Sequence, residues 1–405
     1  MTNKQLFLTL AEKFGTPLYV YDAQDIRARC RDLQSAFAAL KPHIHYSVKA
    51  NSNLSVLRLL YDQGLGFDIV SGGELARLQA AQIPTQNTGF AGVGKTRAEI
   101  EAALRAGIAF FNVESAPELH RIAETAAALN LSARVLLRLN PDVDAHTHKH
   151  ITTGRAANKF GIDFETAARL GDVFAAHPRL QIAGYHLHIG SQIQQVEPYL
   201  QAAKKTLDFI AARRAAGQQV DWLSLGGGFG VPYQGKEEFA LNELAQKLYP
   251  LLDGQNLKLI LEPGRWLLAR AGTLLMTVQY LKQNGGKTFV ITDAGMNTFM
   301  RPALYGGWHK IWPLSQPDDA PATLECNVVG PICESTDFLA KDRLLPPVQA
   351  GDILALSDAG AYGMVMASTY NSHPRPAEAL VDGDDYRLIR RRESYEDLMA
   401  LEIAI

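Results

Sequence analysis

The chain has 405 residues, room for two or three domains, and its 47% hydrophobic and 20% charged side chains are the balance of a soluble globular enzyme. Forty basic against 42 acidic side chains leave a formal charge of −2, which excludes the basic excess of a dedicated nucleic-acid binder. Three cysteines (Cys30, Cys326 and Cys333) are too few for a disulfide framework and fit a reducing compartment.

The first turn of sequence, Leu6-Phe7-Leu8-Thr9-Leu10, is apolar, but Glu12 and Lys13 follow it with no small-residue cleavage site. No apolar run approaches the roughly 18 residues that cross a bilayer. Arg265 and Arg270 interrupt the best candidate. A cytoplasmic protein with no membrane and no nucleic-acid partner is expected. Within residues 1–25, Pro17-Leu18-Tyr19-Val20-Tyr21 reads as a strand, expected to join a C-terminal sheet.

Eight short apolar runs follow, at residues 44–48, 66–70, 87–91, 110–113, 134–139, 182–189, 222–225 and 257–261. The stretches behind them, such as 54–61, 73–81 and 97–106, carry Ala, Leu, Glu and Arg at helical spacing. Such alternation means parallel strands with crossover helices. The fold class is therefore α/β. Eight repeats match a closed (β/α)8 barrel over residues 26–270 better than an open doubly wound sheet. Beyond it, 273–281, 287–292, 322–329, 352–356 and 386–390 read as strands, so residues 271–405 are expected to form a C-terminal all-β domain.

The chemically suggestive residues fall at the barrel strand ends, where such folds keep their active sites. Lys49 ends the first run in His45-Tyr46-Ser47-Val48-Lys49-Ala50-Asn51, and Asp68 lies within the second. His186 and His188 lie two apart on the sixth, which puts them on one face. Gly226-Gly227-Gly228-Phe229-Gly230 follows the seventh and Glu262-Pro263-Gly264-Arg265 the eighth. A partly desolvated lysine amine forms a Schiff base with an aldehyde cofactor. Glycines let backbone N–H groups approach a phosphate, which side chains would block. A carboxylate such as Glu262 keeps a pyridine nitrogen protonated, and a flat imidazole such as His188 lies against a flat ring. Lysine, cradle, acid and ring-stacker together describe a pyridoxal phosphate pocket.

With Tyr46-Ser47-Val48-Lys49-Ala50-Asn51, His186-Leu187-His188-Ile189-Gly190-Ser191-Gln192 and Glu262-Pro263-Gly264-Arg265, the chain resembles the fold-type III pyridoxal phosphate decarboxylases. Those enzymes pair an alanine-racemase-type barrel with a β domain. Arg301-Pro302-Ala303-Leu304-Tyr305, Gly330-Pro331-Ile332-Cys333-Glu334-Ser335 and Gly360-Ala361-Tyr362-Gly363 are similar to strings of the diaminopimelate decarboxylase branch, and the likeness runs from Leu18 to Asp382. The resemblance implies decarboxylation of meso-2,6-diaminopimelate to L-lysine. It implies Lys49 as the Schiff-base lysine, His188 on the pyridine ring and Glu262 on its nitrogen. Ser191, Gly227, Gly228, Gly264, Arg265 and Tyr362 would surround the phosphate and nearby groups. Arg265, Arg301, Tyr305, Glu334 and Tyr362 would hold the substrate, and Cys333 would protonate the carbon that loses carbon dioxide. It also implies a homodimer in which Cys333 and Glu334 complete the partner's pocket.

Physical chemistry accommodates those roles. A guanidinium grips a distant carboxylate through two parallel hydrogen bonds, which suits Arg301. Glu334 can accept from an ammonium. A thiol with a reference pKa of about 8.5 holds its proton at neutral pH and can donate it. Cys326, inside a strand, is expected to pack as a small hydrophobe. The chain departs from the family at Thr298-Phe299-Met300, where relatives usually carry an acidic residue after the asparagine; a local packing change is expected.

Rival readings remain. Gly89-Phe90-Ala91-Gly92-Val93-Gly94-Lys95-Thr96 fits a phosphate-loop pattern, but that motif needs a buried strand before it and a helix starting at the lysine. His146, His148 and His150 could ligate zinc, though no acidic or cysteine ligand pattern accompanies them and no metal is expected. A decarboxylase for ornithine, arginine or a carboxylated polyamine has no distal carboxylate for Arg301. A racemase, or a regulator that binds the cofactor without turnover, has no use for Cys333.

Overall fold

The computed structural model describes residues 4–144, 159–235 and 237–403, and the chain divides into two compact units. One gathers the chain up to Ile26, a short segment from Pro232, and everything from Leu267 onward. The other holds Arg27–Val231 and Glu237–Trp266.

After a helix at Lys4–Phe14, strand β1 (Leu18–Asp22) begins the sheet framework. The next eight strands are β2 (His43–Ser47), β3 (Gly66–Ile69), β4 (Thr88–Phe90), β5 (Phe110–Val113), β6 (Ala133–Arg138), β7 (Leu180–His186), β8 (Trp222–Ser224) and β9 (Lys258–Leu261). Each pairs in parallel with the next, and β2 closes on β9 through His43↔Ile260 and Ile44↔Leu261. The closed eight-stranded barrel is the architecture expected from the alternating pattern.

Local chemistry starts the crossover helices where the chain needs them. Asn53, Ser71, Thr96, Ser115 and Asp163 each accept a backbone N–H in the first turn of the helix behind them. Those bonds satisfy donors that a helix start leaves orphaned. The barrel interior is a packed core: Phe110, Leu136, Ala183 and Ile260 form one buried cluster with Trp222 against it. Every strand therefore ends at a fixed place on the rim.

The other unit is built on β1 and on β10 (Gly272–Asn284), β11 (Lys287–Thr292), β12 (Ile311–Pro313), β13 (Leu324–Val329), β14 (Phe338–Leu345), β15 (Ile353–Leu356), β16 (Ala377–Asp382) and β17 (Asp385–Arg390). Its main order is β14-β13-β11-β10-β1-β16-β17, with β15 pairing both β10 and β12. In this sheet, strand β1 pairs antiparallel with β10 and parallel with β16. Leu10, Leu18, Val20, Leu275, Leu314 and Val381 pack one face of it, so the first helix is tied down by its own apolar side. Among the described residues, no helix is long and apolar enough to cross a membrane.

Candidate active site

β2 ends at Ser47, and a single 3-10 turn, Val48–Ala50, lifts Lys49 onto the rim. Lys49 Nζ lies 3.3 Å from Asp68 Oδ2; the lysine side chain is 37% exposed, the aspartate 1%. Ser47 Oγ, 3.0 Å away, also donates to Asp68 Oδ2. Burial pushes the Asp68 carboxyl upward against the pull of Lys49. The amine is thus held by one end while it remains reachable from solvent.

Glu262, one residue past β9, meets three polar side chains on the rim. His186 Nε2 sits 2.9 Å from its Oε2, Ser224 Oγ donates to Oε1 at 2.8 Å, and Asn112 Nδ2 donates to Oε1 at 3.4 Å. Burial opposes its charge, but His186, the Ser224 hydroxyl and Lys49 outweigh that and hold it well below the usual carboxylate range. Glu262 is therefore a fixed negative charge.

β7 stops at His186, so His188 lies beyond the strand rather than within it, a shorter strand than the 182–189 run predicts. The Gly227 N–H donates to His188 Nδ1 at 3.4 Å. Burial, then the Arg138 and Lys49 charges, keep the imidazole well below its ordinary pKa. It is a neutral flat ring with its proton on Nε2.

The glycines after β8 lie against two other backbone segments. A Cβ on Gly227 would fall 2.0 Å from the Glu262 carbonyl oxygen, and one on Gly228 (φ +98°) 2.2 Å from that of Gly190. Only glycine permits this approach, so the turn lies flush against its neighbours with no side chain of its own to keep a phosphate away from the backbone. Ser191 follows directly on Gly190. The Arg265 Nη2 donates to Ser191 Oγ at 3.0 Å, and Gly264, between Glu262 and Arg265, packs with its Cα side against Ala50 and Ser47. An exposed amine, a neutral imidazole, a fixed carboxylate and a glycine cradle with a hydroxyl and a guanidinium are the donors that an aldehyde, a pyridine ring, its nitrogen and a phosphate require. The barrel residues fit pyridoxal phosphate.

The remaining named residues belong to the β-rich unit. Arg301 starts a short helix, Arg301–Tyr305, and is 6% exposed; Tyr305 at its other end is half-buried. Cys333 and Glu334 are exposed, Cys333 donating its N–H to Asn371 Oδ1 at 2.9 Å and Glu334 accepting from the Tyr370 hydroxyl. Tyr362 is half-buried in left-handed backbone (φ +55°). Phe299, at the family departure, is fully buried, and the Thr298 carbonyl accepts from Tyr19 Oη at 2.8 Å. The departure is thus a core position. Cys326 is 2% exposed, and burial raises its thiol to about 11.

The phosphate-loop string has another job. Lys95 Nζ donates to the carbonyls of Gly92 and Asn112, each at 2.8 Å, and pairs with Glu118 at 2.6 Å. The helix behind it starts at Arg97 with Thr96 as its cap, past the lysine that a phosphate loop would place on the helix. His146, His148 and His150 lie outside the described residues; among the described residues no cluster of three or more His, Cys, Asp or Glu could hold a metal.

Three contacts escaped the sequence reading. Asn112, Ser224 and Arg138 come from strands read only as apolar runs, yet each carries a polar side chain or its bond to the rim: Arg138 pairs with Glu114 at 2.6 Å and reaches the His188 carbonyl. The available signal was a polar residue toward the C-terminal end of a mostly apolar barrel strand.

Residues 23–269 match the profile of the pyridoxal-dependent decarboxylase family, pyridoxal binding domain. The chain is 50% identical over 395 residues to the diaminopimelate decarboxylase of Neisseria meningitidis serogroup B, covering 98% of this chain and 95% of that one. It is 45% identical to the diaminopimelate decarboxylase of Pseudomonas aeruginosa, covering 97% and 94%. A crystal structure of diaminopimelate decarboxylase from Helicobacter pylori complexed with L-lysine superposes with a TM-score of 0.93 at 41% identity, over 98% of this chain and 99% of that one. Lysine/ornithine decarboxylase from Vibrio vulnificus, at 23% identity and a TM-score of 0.82, shares the fold.

Proposed function

We infer the reaction from one premise: the chain belongs to the diaminopimelate decarboxylase family of pyridoxal-dependent decarboxylases. It removes the carboxylate from one end of meso-diaminopimelate and releases L-lysine and carbon dioxide. The observation that carries this reading is the rim constellation of Lys49, Glu262, His188 and the glycine cradle, set in a chain half identical over its length to a named relative.

Pyridoxal phosphate, when bound, supplies an electron sink for the pair left behind by departing carbon dioxide. Lys49 Nζ would be the attachment point, oriented by its 3.3 Å contact with Asp68. The phosphate would be held by the glycine turn at Gly227 and Gly228 together with Ser191, Gly264 and Arg265. His188 would offer its neutral face to the ring. Glu262, held ionised by His186 and Ser224, would keep the pyridine nitrogen protonated.

The matching family strings would give Arg301 the retained carboxylate and Glu334 the ammonium beside it, with Arg265, Tyr305 and Tyr362 as further substrate-binding residues. Cys333 would be the residue whose Sγ delivers a proton to the carbon that has lost its carboxylate. Cys333 and Glu334 are exposed on the single chain, which supports a homodimer in which each subunit lends this segment to its partner's pocket. The three free cysteines go with a reducing, cytoplasmic setting.

The test is substrate choice. Diaminopimelate, ornithine, arginine and carboxynorspermidine are supplied separately and carbon dioxide is measured. Release from diaminopimelate at a kcat/KM at least about a hundredfold above the others is expected, because a buried guanidinium without its carboxylate is costly. Preference for ornithine, arginine or the polyamine would overturn the reading.

A further inference from the structure

Arg301 is held by a histidine to which no role has been assigned. The helix Arg301–Tyr305 closes on Gly306 in left-handed backbone (φ +63°), and the chain turns back so that His309 lies over the start of the same helix. Arg301 Nε donates to His309 Nε2 at 3.3 Å. On the other side of the ring, His309 Nδ1 lies 3.0 Å from the Ser357 carbonyl oxygen. A carbonyl only accepts and an arginine Nε–H only donates. Both bonds hold together in one form of the ring: neutral, with its proton on Nδ1 and its lone pair on Nε2.

The ring has no room to turn. His309 is fully buried, with Phe299 edge-on at 4.7 Å and Tyr233 at 4.9 Å. Its backbone carbonyl accepts from Arg343 Nη1 at 2.9 Å, and Ser357 is itself fixed by Trp312, whose Nε1 donates to its hydroxyl at 3.1 Å. Tyr233 touches both members, its ring centroid 4.8 Å from the Arg301 guanidinium carbon. The departure at Phe299 thus forms one wall of the box that holds His309.

We propose that His309 is a positioning residue for substrate recognition: its Nε2 lone pair fixes the plane of the Arg301 guanidinium for the far carboxylate of the substrate. The proposal rests on the reading of Arg301 as the carboxylate-binding residue. A long flexible side chain loses rotational freedom when it grips an anion, and a guanidinium already held at Nε has surrendered much of it beforehand. A lysine could not be fixed this way, because an ammonium has no plane to hold.

Three variants of the holoenzyme separate the acceptor from the packing. His309→Phe keeps a ring between Phe299 and Tyr233 but removes the lone pair. His309→Asn places its amide near Nδ1, keeping the bond to Ser357 while falling short of Arg301. His309→Gln reaches Arg301 with an amide oxygen but gives up the ring. The expected result is a KM for diaminopimelate raised about tenfold in Phe and Asn, kcat within about twofold, and recovery toward wild type in Gln. If Phe does not fold, the Asn and Gln pair decides the question. An unchanged KM in Phe or Asn, or equal losses in Asn and Gln, overturns the role of His309. Arg301→Ala in the same assay tests the underlying reading separately: an unchanged KM there sinks the assignment of Arg301, whereas a raised KM with an inert His309 leaves that assignment standing.

Discussion

His186 Nε2 lies 2.9 Å from Glu262 Oε2, and both side chains are buried. The pair joins two barrel strands at the rim: His186 ends β7, and Glu262 follows β9. With Ser224 on the other carboxylate oxygen, Glu262 is held well below the usual carboxylate range. Glu262→Gln keeps the shape and removes the charge. We expect kcat to fall on the order of 10²-fold while pyridoxal phosphate still binds, since fixed charge at a reacting centre contributes at that scale. Carbon dioxide release and cofactor absorbance measured on one preparation check this; a kcat within about twofold of wild type would contradict it.

Cys333 stands exposed on its loop, its backbone N–H pinned by Asn371. Cys333→Ala is expected to slow product formation by about 10²-fold or more and to leave cofactor binding unaltered, because a proton donor acts after binding. Steady-state rates beside a cofactor titration check it. An unchanged rate would remove the thiol from the reaction.

His45 is buried at the start of the barrel wall, 3.0 Å from Asn87 Oδ1 and stacked on Phe110. Burial lowers its pKa from 6.5 to about 4, with Glu262 and Asn87 opposing. A base whose folded pKa is depressed binds protons more weakly folded than unfolded. Its stabilising effect is therefore complete above about pH 6.5 and is lost as pH falls toward about 4. The full effect is roughly 3 kcal/mol. His45→Gln should be less stable than wild type at neutral pH, with the gap shrinking as the solution is acidified. Urea unfolding of both proteins at several pH values checks this; a gap independent of pH would refute it.

Much of this architecture was legible because its signals are local. Eight apolar runs with helical stretches behind them, glycines and Glu262 at strand ends, and a strand at Leu18–Asp22 each show in a window of a few residues. What was illegible depends on distance. The helix Lys4–Phe14 has its apolar side recognised only against Leu18 and Leu275. β14 carries the exposed pair Lys341 and Asp342 in its middle, which breaks alternation on an edge strand where polar residues face water. β16 is buried on both faces, with Glu378 satisfied by Tyr21, so it shows no period at all. At the site, Lys49, His188 and Glu262 stand in recognisable strings. Ser224 and Asn112 become visible only once three separated strands meet around one carboxylate.

The central claim is that Lys49 Nζ carries the cofactor. Holoenzyme reduced with borohydride, digested and mapped should yield one pyridoxyl-modified peptide, with the label on Lys49, and Lys49→Ala should yield none and should not turn over. A label on any other lysine, or a colourless protein that still releases carbon dioxide from diaminopimelate, would contradict the account.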